Sequence, residues 1–124
     1  MTEVTAILVT VQGEVSTVDL AEEGSTLQGM YKAIGCSTVD RVPLAFTTDM
    51  WLDDEGAITT NPSDPLATLN PYAMRIVARY LGAEVEEINP LFGNVLITGQ
   101  HDGETTSVSP EVIDQVTKVV KRMR

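Results

Sequence analysis

The sequence predicts an α+β fold: a largely antiparallel sheet of about five to six strands with three helices, in one globular domain over residues 1–124. Two observations indicate this class. Short β-branched segments with alternating polarity come in runs, and three segments with helical periodicity lie between or after them. The predicted order is ββαβββαβα. Runs of strands before the later helices favour an antiparallel sheet that carries its helices on one face.

The first two predicted strands surround Gln12 and Gly13. Apolar side chains occupy both faces of the first strand, with Val4, Ala6 and Leu8 on one face and Ile7, Val9 and Val11 on the other. This pattern is typical of a strand inside a sheet that is covered on both sides. The second strand alternates more regularly, so we expect one of its faces to be solvated.

The first helix is predicted to begin after Ser25, whose hydroxyl can cap it, and to stop at Gly35. Its apolar face is formed by residues that recur at helical spacing: Leu27, Met30, Tyr31 and Ile34. Gly29 falls on the opposite face, where it costs about 1 kcal/mol relative to alanine and adds no contact.

Residues 38–59 are predicted to form three strands. Pro43 marks a break or an edge of the sheet, because proline has no N–H to donate to a neighbouring strand. The next strand then runs from Leu44 to Asp53. Its core-facing residues are predicted to be Leu44, Phe46, Met50 and Leu52, with Thr48 among them.

The stretch DMWLDDEG places the only tryptophan among four carboxylates. By strand alternation Trp51 faces away from the core with Asp49 and Asp53, and it pairs with Thr59 across a turn at Gly56. The consecutive acids diverge around such a turn, whereas a calcium loop needs them at alternate positions, so we predict no metal site. A solvated turn is one interpretation. A partner-binding surface at Trp51, Asp49 and Asp53 is the other, because exposed tryptophans with a polar rim dominate many interfaces.

The second helix is predicted over residues 71–81, with Asn70 as its cap. Its apolar positions span an arc of about 200°, which is too wide for contact with one surface. We therefore expect a second packing layer, or a homodimer through this helix. Tyr72, Arg75 and Arg79 lie on the remaining stripe. They predict either a pocket for a phosphate or a nucleotide base, or salt bridges to nearby carboxylates.

The C-terminal part is predicted to form a short strand at NVLIT and a helix that begins at Ser109 and docks on one side. The lysines and arginines at the end of this helix complement its dipole.

His101 lies between the predicted strand and the last helix, near Asp102 and Glu104. This group predicts either an acid–base or metal cluster, or a turn that contains glycine.

The formal net charge of −10 restricts the partners. A surface of that sign repels a phosphate backbone, so we predict no direct nucleic-acid binding. The charge suits either a basic or nucleic-acid-binding protein as partner, or solubility alone. No apolar run could cross a membrane and no basic signal segment opens the chain, so we expect a cytoplasmic protein.

The single Cys36 can form neither an internal disulfide nor a cysteine-based metal site. The sequence contains no P-loop, dinucleotide fingerprint, HExxH motif or serine triad, so no cofactor, metal or catalytic residue is predicted.

Several stretches follow one another along the chain: EEGSTLQGMYKAIGCSTVDRVPL, MWLDDEG, an NP that opens a helix, FGNVLITG and DGETTSVSPEVI. Together they resemble a family of small uncharacterised proteins of actinobacteria, other bacteria and their phages. The resemblance covers nearly the whole chain. The family is a domain of unknown function, so it implies no catalytic residue. It does imply association with phages or mobile elements, where small acidic proteins modulate host enzymes or counter defence systems.

The sequence and the resemblance together lead to two hypotheses for the function. The first is a phage or prophage accessory protein that acts without catalysis, by binding a host protein, through a surface that includes Trp51. The second is a small-molecule or nucleotide binder, or an enzyme that acts on such a ligand. Its pocket would lie near Tyr72, Arg75 and Arg79, with His101 as a further candidate.

Overall fold

The computed structural model describes residues 3–55 and 68–123. The strands are β1 (Thr5–Val9), β2 (Val15–Asp19), β3 (Val39–Ala45), β4 (Thr48–Asp53), β5 (Val95–His101) and β6 (Glu104–Thr106). The helices are α1 (Thr26–Ile34), α2 (Pro71–Leu81) and α3 (Pro110–Met123), and short 3-10 turns cover Leu20–Glu23 and Val85–Glu87. The predicted α+β class, with a largely antiparallel sheet and three helices, is confirmed.

One antiparallel sheet has the strand order β2-β1-β5-β4-β3, and β6 pairs with the end of β5. Helix α1 covers one face, and helices α2 and α3 cover the other; we call these the α1 face and the α2/α3 face. The prediction that all helices share one face is therefore wrong. The reason lies in β1, where Ala6 and Ile7 point to opposite faces and both are fully buried. The double cover predicted for this strand is confirmed.

Two apolar clusters hold the layers together. On the α1 face, Met30 and Ile34 of α1 pack against Ala6 and Leu96 of the sheet. The cluster on the α2/α3 face is larger and includes Ile7, Val9, Met50, Val95 and Ile97 of the sheet, Ala73, Ile76 and Val77 of α2, and Val116, Val119 and Val120 of α3. Each buried aliphatic side chain of this size stabilises the fold by roughly 1.5–3 kcal/mol, so the larger cluster contributes most of the packing energy.

Helix α1 packs on the sheet through Met30 and Ile34, as its periodicity predicts, but the helix is rotated so that Gly29 and not Leu27 lies beside them. Gly29 is buried, whereas Leu27, which was predicted on the apolar face, is 46% exposed. The cause is the 3-10 turn before the helix, because a Cβ on Gly29 would collide with the backbone of Leu20. Only glycine lets the helix approach the turn this closely. The interpretation of Gly29 as an outer-face residue without contacts is wrong.

Strands β3 and β4 form a hairpin whose turn lies at Phe46 and Thr47. The prediction of one strand from Leu44 to Asp53 is wrong, and Phe46, which was predicted in the core, is 95% exposed at the turn. Pro43 lies in β3, which is an edge strand of the described sheet, as one of the two predictions for this proline required.

At Trp51, strand β4 is paired with a neighbouring strand along each of its two edges. This residue pairs with Arg41 of β3 and with Leu96 of β5. The predicted pairing of Trp51 with Thr59 is therefore wrong, because a strand has only two edges. The turn and strand that are predicted at residues 56–59 lie outside the described residues.

Helix α2 begins where the sequence predicts. The side chain of Asn70 accepts a hydrogen bond from the backbone N–H of Ala73 at 3.0 Å. The inner side of α2 packs on the sheet, and α3 lies beside it on the same face. The second packing layer that the wide apolar arc requires is thus supplied within the chain. A homodimer through residues 71–81 stays a prediction, and Leu81 at the end of α2 is 57% exposed.

Helix α3 docks on one side, as predicted. Val116, Val119 and Val120 are buried, and the charged residues of the helix are exposed. The hairpin of β5 and β6 leads the chain to this helix. No helix in the described ranges is both long and apolar enough to span a bilayer.

Candidate functional site

The outer surfaces of α2 and α3 meet in a groove with a volume of about 420 Å3. Its floor is apolar and its rim is polar; the lining residues are Ile76, Arg79, Tyr80, Gln115, Val116, Lys118, Val119 and Arg122. A hollow of about 220 Å3 continues the groove and adds Arg75 and Met123. The two cavities share Arg79, Val119 and Arg122. Ligand pockets in proteins have volumes in this range and likewise combine an apolar lining with a few polar groups. We call the combined surface the helical groove.

Four cations border the helical groove: Arg75, Arg79, Lys118 and Arg122. They are half of the eight lysines and arginines in a chain whose net charge is −10. Lys118 is paired with Asp114 at 2.9 Å. The three arginines form no ion pair with any described residue. The salt bridges that the sequence offers as an alternative role for Arg75 and Arg79 are therefore not formed within the described part of the chain. Their guanidinium groups can therefore bind an external anion.

Tyr80 gives the groove an aromatic wall with a polar end. Its hydroxyl donates to Oε1 of Gln115 at 3.4 Å, which links α2 to α3 across the groove. Burial raises the pKa of Tyr80, so its hydroxyl stays protonated and can act as a donor. A bond of 3.4 Å is long for two oxygens, and a ligand oxygen could replace the glutamine acceptor at little cost.

Tyr72 does not share the helical groove with Arg75 and Arg79. Its ring lies against the β1–β2 turn, where a Cβ on Gly13 would come within 2.7 Å of Tyr72 Cζ. Gly13 has a φ of +83°, which also favours glycine. The structure therefore separates the three residues that the sequence grouped: the arginines lie in the groove, and Tyr72 closes a turn.

The groove residues on α3 were not predicted as a site. From the sequence, Lys118 and Arg122 are expected only to complement the helix dipole, and no pattern assigns a role to Gln115 or Tyr80. One signal was present, because Arg75 and Arg79 on α2 and Lys118 and Arg122 on α3 each follow i, i+4 spacing and so form a cationic stripe on each helix. That the two stripes meet depends on how α2 and α3 pack.

The DMWLDDEG stretch has a structural role at Trp51. The indole N–H of Trp51 donates to Oγ1 of the fully buried Thr98 at 2.9 Å. The ring packs against the cluster that contains Met30 and Leu96 on the α1 face. The expectation of an exposed polar face around Trp51 is wrong, because α1 covers that face. Trp51 is half-buried, so only part of the indole is accessible to a partner.

Asp49 and Asp53 lie on the same face of β4 as Trp51 but differ in exposure. Asp49 is 2% exposed, and its Oδ2 lies 3.5 Å from Nη1 of Arg41. Its Oδ1 accepts no hydrogen bond from the described residues. Asp53 is half-buried at the end of the strand and accepts a bond from the backbone N–H of Glu55. As a partner-binding surface, Trp51, Asp49 and Asp53 stay a prediction.

His101 lies in the β5–β6 hairpin, whose turn is formed by Asp102 and Gly103. Its Nε2 is 3.3 Å from Oδ2 of Asp102, and both side chains are strongly exposed. This geometry fits the turn interpretation. Within the described ranges, no three His, Cys, Asp or Glu side chains are placed to hold a metal ion together.

Cys36 is poorly suited to act as a nucleophile. Burial, and then the negative charge of Asp53, raise the pKa of its thiol above the ordinary value. The thiolate is the reactive form, so a raised pKa lowers reactivity at neutral pH. In contrast, the helical groove offers guanidinium, ammonium, amide and phenol groups, which bind and orient anions.

Comparison with known proteins places the chain in a family. The family model described as domain of unknown function DUF3846 matches residues 4–121. No curated protein and no solved structure matches the chain. The resemblance to a family of unknown function is confirmed. The chain is a member of the DUF3846 family.

Proposed function

We propose that this protein is a non-catalytic binding protein that takes a small phosphate-bearing anion, such as a nucleotide, in the helical groove. One observation carries the proposal. Four cations from two helices border one groove on a strongly acidic protein, and the three arginines among them have no carboxylate partner in the described part of the chain.

The groove suits a ligand with an anionic end and a less polar body. Arginine binds phosphate through two parallel N–H···O bonds, and Arg79 and Arg122 approach from different helices. The apolar floor of Ile76, Val116 and Val119 and the ring of Tyr80 can contact a base or another flat group. The negative charge elsewhere on the protein opposes a long polyanion, which favours a small ligand over a nucleic acid.

Thermal shift and calorimetric titration test this function directly. Nucleoside mono-, di- and triphosphates, pyrophosphate and unphosphorylated nucleosides are compared at constant ionic strength. A ligand present at 100 times its Kd stabilises the folded state by about 2.7 kcal/mol, which raises the melting temperature by roughly 10 °C for a domain of this size. If neither a nucleotide nor pyrophosphate raises the melting temperature, the proposal is wrong.

Arg79→Gln and Arg122→Gln should each weaken the binding of a nucleotide roughly ten- to a hundredfold, because each removes a charge-assisted hydrogen bond worth about 1.5–3 kcal/mol. Both side chains are exposed, so melting temperature without ligand should change little. Lys121→Gln is the matched control. It removes the same charge from α3, but Lys121 borders another hollow, beside Glu14 and Val15. Equal losses in all three variants would indicate attraction by net charge and not a built site.

A second function is supported by Phe46, which lies outside the helical groove. Phe46 is 95% exposed at the β3–β4 turn, and exposed aromatic rings commonly anchor protein interfaces. We therefore retain, as a proposal, an accessory protein of phage or prophage type that binds a host protein, which the acidic surface suits if that protein is basic.

Phe46→Ser should abolish capture of that host protein from lysate, because the ring would supply the central contact, typically 2 kcal/mol or more. The side chain contributes little to the core, so the melting temperature should stay within a few degrees of the wild type. Ala45→Ser, next to it on β3, serves as the control. Capture that survives Phe46→Ser would exclude the turn as the contact site.

A further inference from the structure

The outer edge of β2 has no neighbour among the described strands. β2 pairs only with β1 among the described strands. The backbone N–H of Leu20 donates to Val4 and that of Thr10 donates to Glu14, so Leu20 and Glu14 point their backbone groups toward β1. Backbone direction alternates along an antiparallel strand. Ser16 and Val18 therefore also face β1.

Val15 and Thr17 consequently direct their N–H and C=O groups away from the sheet. No described residue binds these groups. Thr17 is exposed, and the row of unpaired groups is a template for another strand.

The two edges of the sheet differ. β3 contains Pro43 and a register shift between Pro43 and Ala45, which prevent regular pairing with another strand. It also carries the charged Asp40 and Arg41. β2 has none of these protections between Val15 and Val18. Sheet proteins usually protect an edge that must remain unpaired, so the open edge of β2 indicates that a strand covers it.

We propose that a second copy of this chain covers this edge, through antiparallel pairing of β2 with β2 around a two-fold axis at Thr17. The pairing joins two six-stranded sheets into one. Thr17 faces Thr17 of the other copy and exchanges two N–H···O bonds with it, and Ser16 faces Val18. An interface between identical copies must be self-complementary, and this register satisfies that condition with no like charges opposed between Val15 and Asp19.

The charges near the edge are compatible with this register. It places Asp19 of one copy opposite Val15 of the other, and Lys121 borders the hollow next to Val15. Oδ1 of Asp19 accepts bonds from the backbone N–H groups of Val4 and Ala21 in its own chain, so Oδ2 is the oxygen left to face that ammonium group. A second hollow, lined by Val18 and Gly29, leaves space beside the edge on the α1 face. This dimer leaves the helical groove uncovered, because the groove lies between α2 and α3.

Charge substitutions at Thr17 test this dimer in sedimentation velocity and light scattering. Thr17→Lys and Thr17→Glu each place two like charges opposite each other and should raise the dimer dissociation constant at least tenfold. An equimolar mixture of the two variants should restore the dimer, because a lysine then faces a glutamate. Ala45→Lys, which adds one charge to the other edge of the sheet, should leave the dimer intact.

Three results would overturn the proposal. The first is a wild-type protein that stays monomeric at the highest soluble concentration. The second is a dimer that neither Thr17 variant weakens, which would place the contact elsewhere, for example at residues 71–81. The third is loss of the dimer in both variants without recovery in the mixture. Thermal melting of each variant shows whether the exposed position tolerates the change, and nucleotide binding measured in parallel reports on the helical groove separately.

Discussion

Replacing Asn70 with alanine should destabilise the protein by roughly 3 to 5 kcal/mol, the largest effect that we expect from one side chain. Asn70 is fully buried. Its Oδ1 caps α2 at Ala73, and its Nδ2 donates to the carbonyl oxygens of Val9 at 3.3 Å and of Gly93 at 2.9 Å. Alanine removes the cap and leaves two carbonyl groups without this donor. Chemical denaturation monitored by circular dichroism measures the loss of free energy of unfolding.

Ser25→Ala is the matched control for Asn70→Ala. Ser25 caps α1 through the N–H of Gln28, but it is exposed and its side chain has no described tertiary bond. Its loss should cost about 1 kcal/mol. Asn70→Asp keeps the cap and removes the donors, so it should remain strongly destabilising. If Asn70→Ala costs no more than Ser25→Ala, the bonds to Val9 and Gly93 contribute nothing and the interpretation is wrong.

Replacing Trp51 with alanine should lower the free energy of unfolding by about 3 kcal/mol. The indole packs against the α1-face cluster and donates a hydrogen bond to Thr98. Truncation therefore creates a cavity and removes the donor from a buried hydroxyl group. Thermal and urea denaturation measure the change. A melting temperature within a degree or two of the wild type would instead indicate a largely exposed ring that is free to bind a partner.

A double-mutant cycle separates the hydrogen bond of Trp51 from its packing. Trp51→Phe retains an aromatic ring without the N–H, and Thr98→Val replaces the hydroxyl by a methyl group of similar size. We expect a coupling energy of about 0.5–1.5 kcal/mol between the two sites. A coupling near zero would show that the bond at 2.9 Å does not stabilise the fold, whatever the cost of Trp51→Ala.

The residues of the DMWLDDEG stretch have different structural roles in the fold, and this changes what the stretch indicates about function. The sequence groups Trp51 with the surrounding acids as one surface. In the fold, the indole of Trp51 forms a hydrogen bond from β4 to Thr98 of β5. Asp49 is buried beside Arg41, and Asp53 is the last residue of β4. The exposed aromatic residue of this hairpin is Phe46, which the period-two pattern predicts inside because it treats a turn as part of a strand.

Much of the local structure was predictable because it depends on residues that are close in sequence. Ser25 and Asn70 cap helices through N–H groups three residues away, and Gly35 and Gly82 end those helices. The alternation of apolar residues in β1 predicted a strand buried on both faces. These features require only the geometry of a helix or a strand.

The candidate site was predictable only in part. Arg75 and Arg79 were recognised as a cationic pair, but their partners Lys118 and Arg122 lie about forty residues away along the chain. No local pattern states which face of α3 meets α2. The proposed site exists because the larger core aligns the two helices side by side with their charged stripes together.

By itself, the sequence determined the α+β class, the helix caps, the double cover of β1 and the acidic charge, since each follows from composition or from spacing within one element. Only the tertiary structure decided that α1 lies opposite α2 and α3, that Gly29 is a contact residue, that β4 is enclosed by two strands and that four cations line one groove. These features depend on pairings between distant segments. Such pairings are chosen by the packing free energy of the whole core and not by the preference of any one segment.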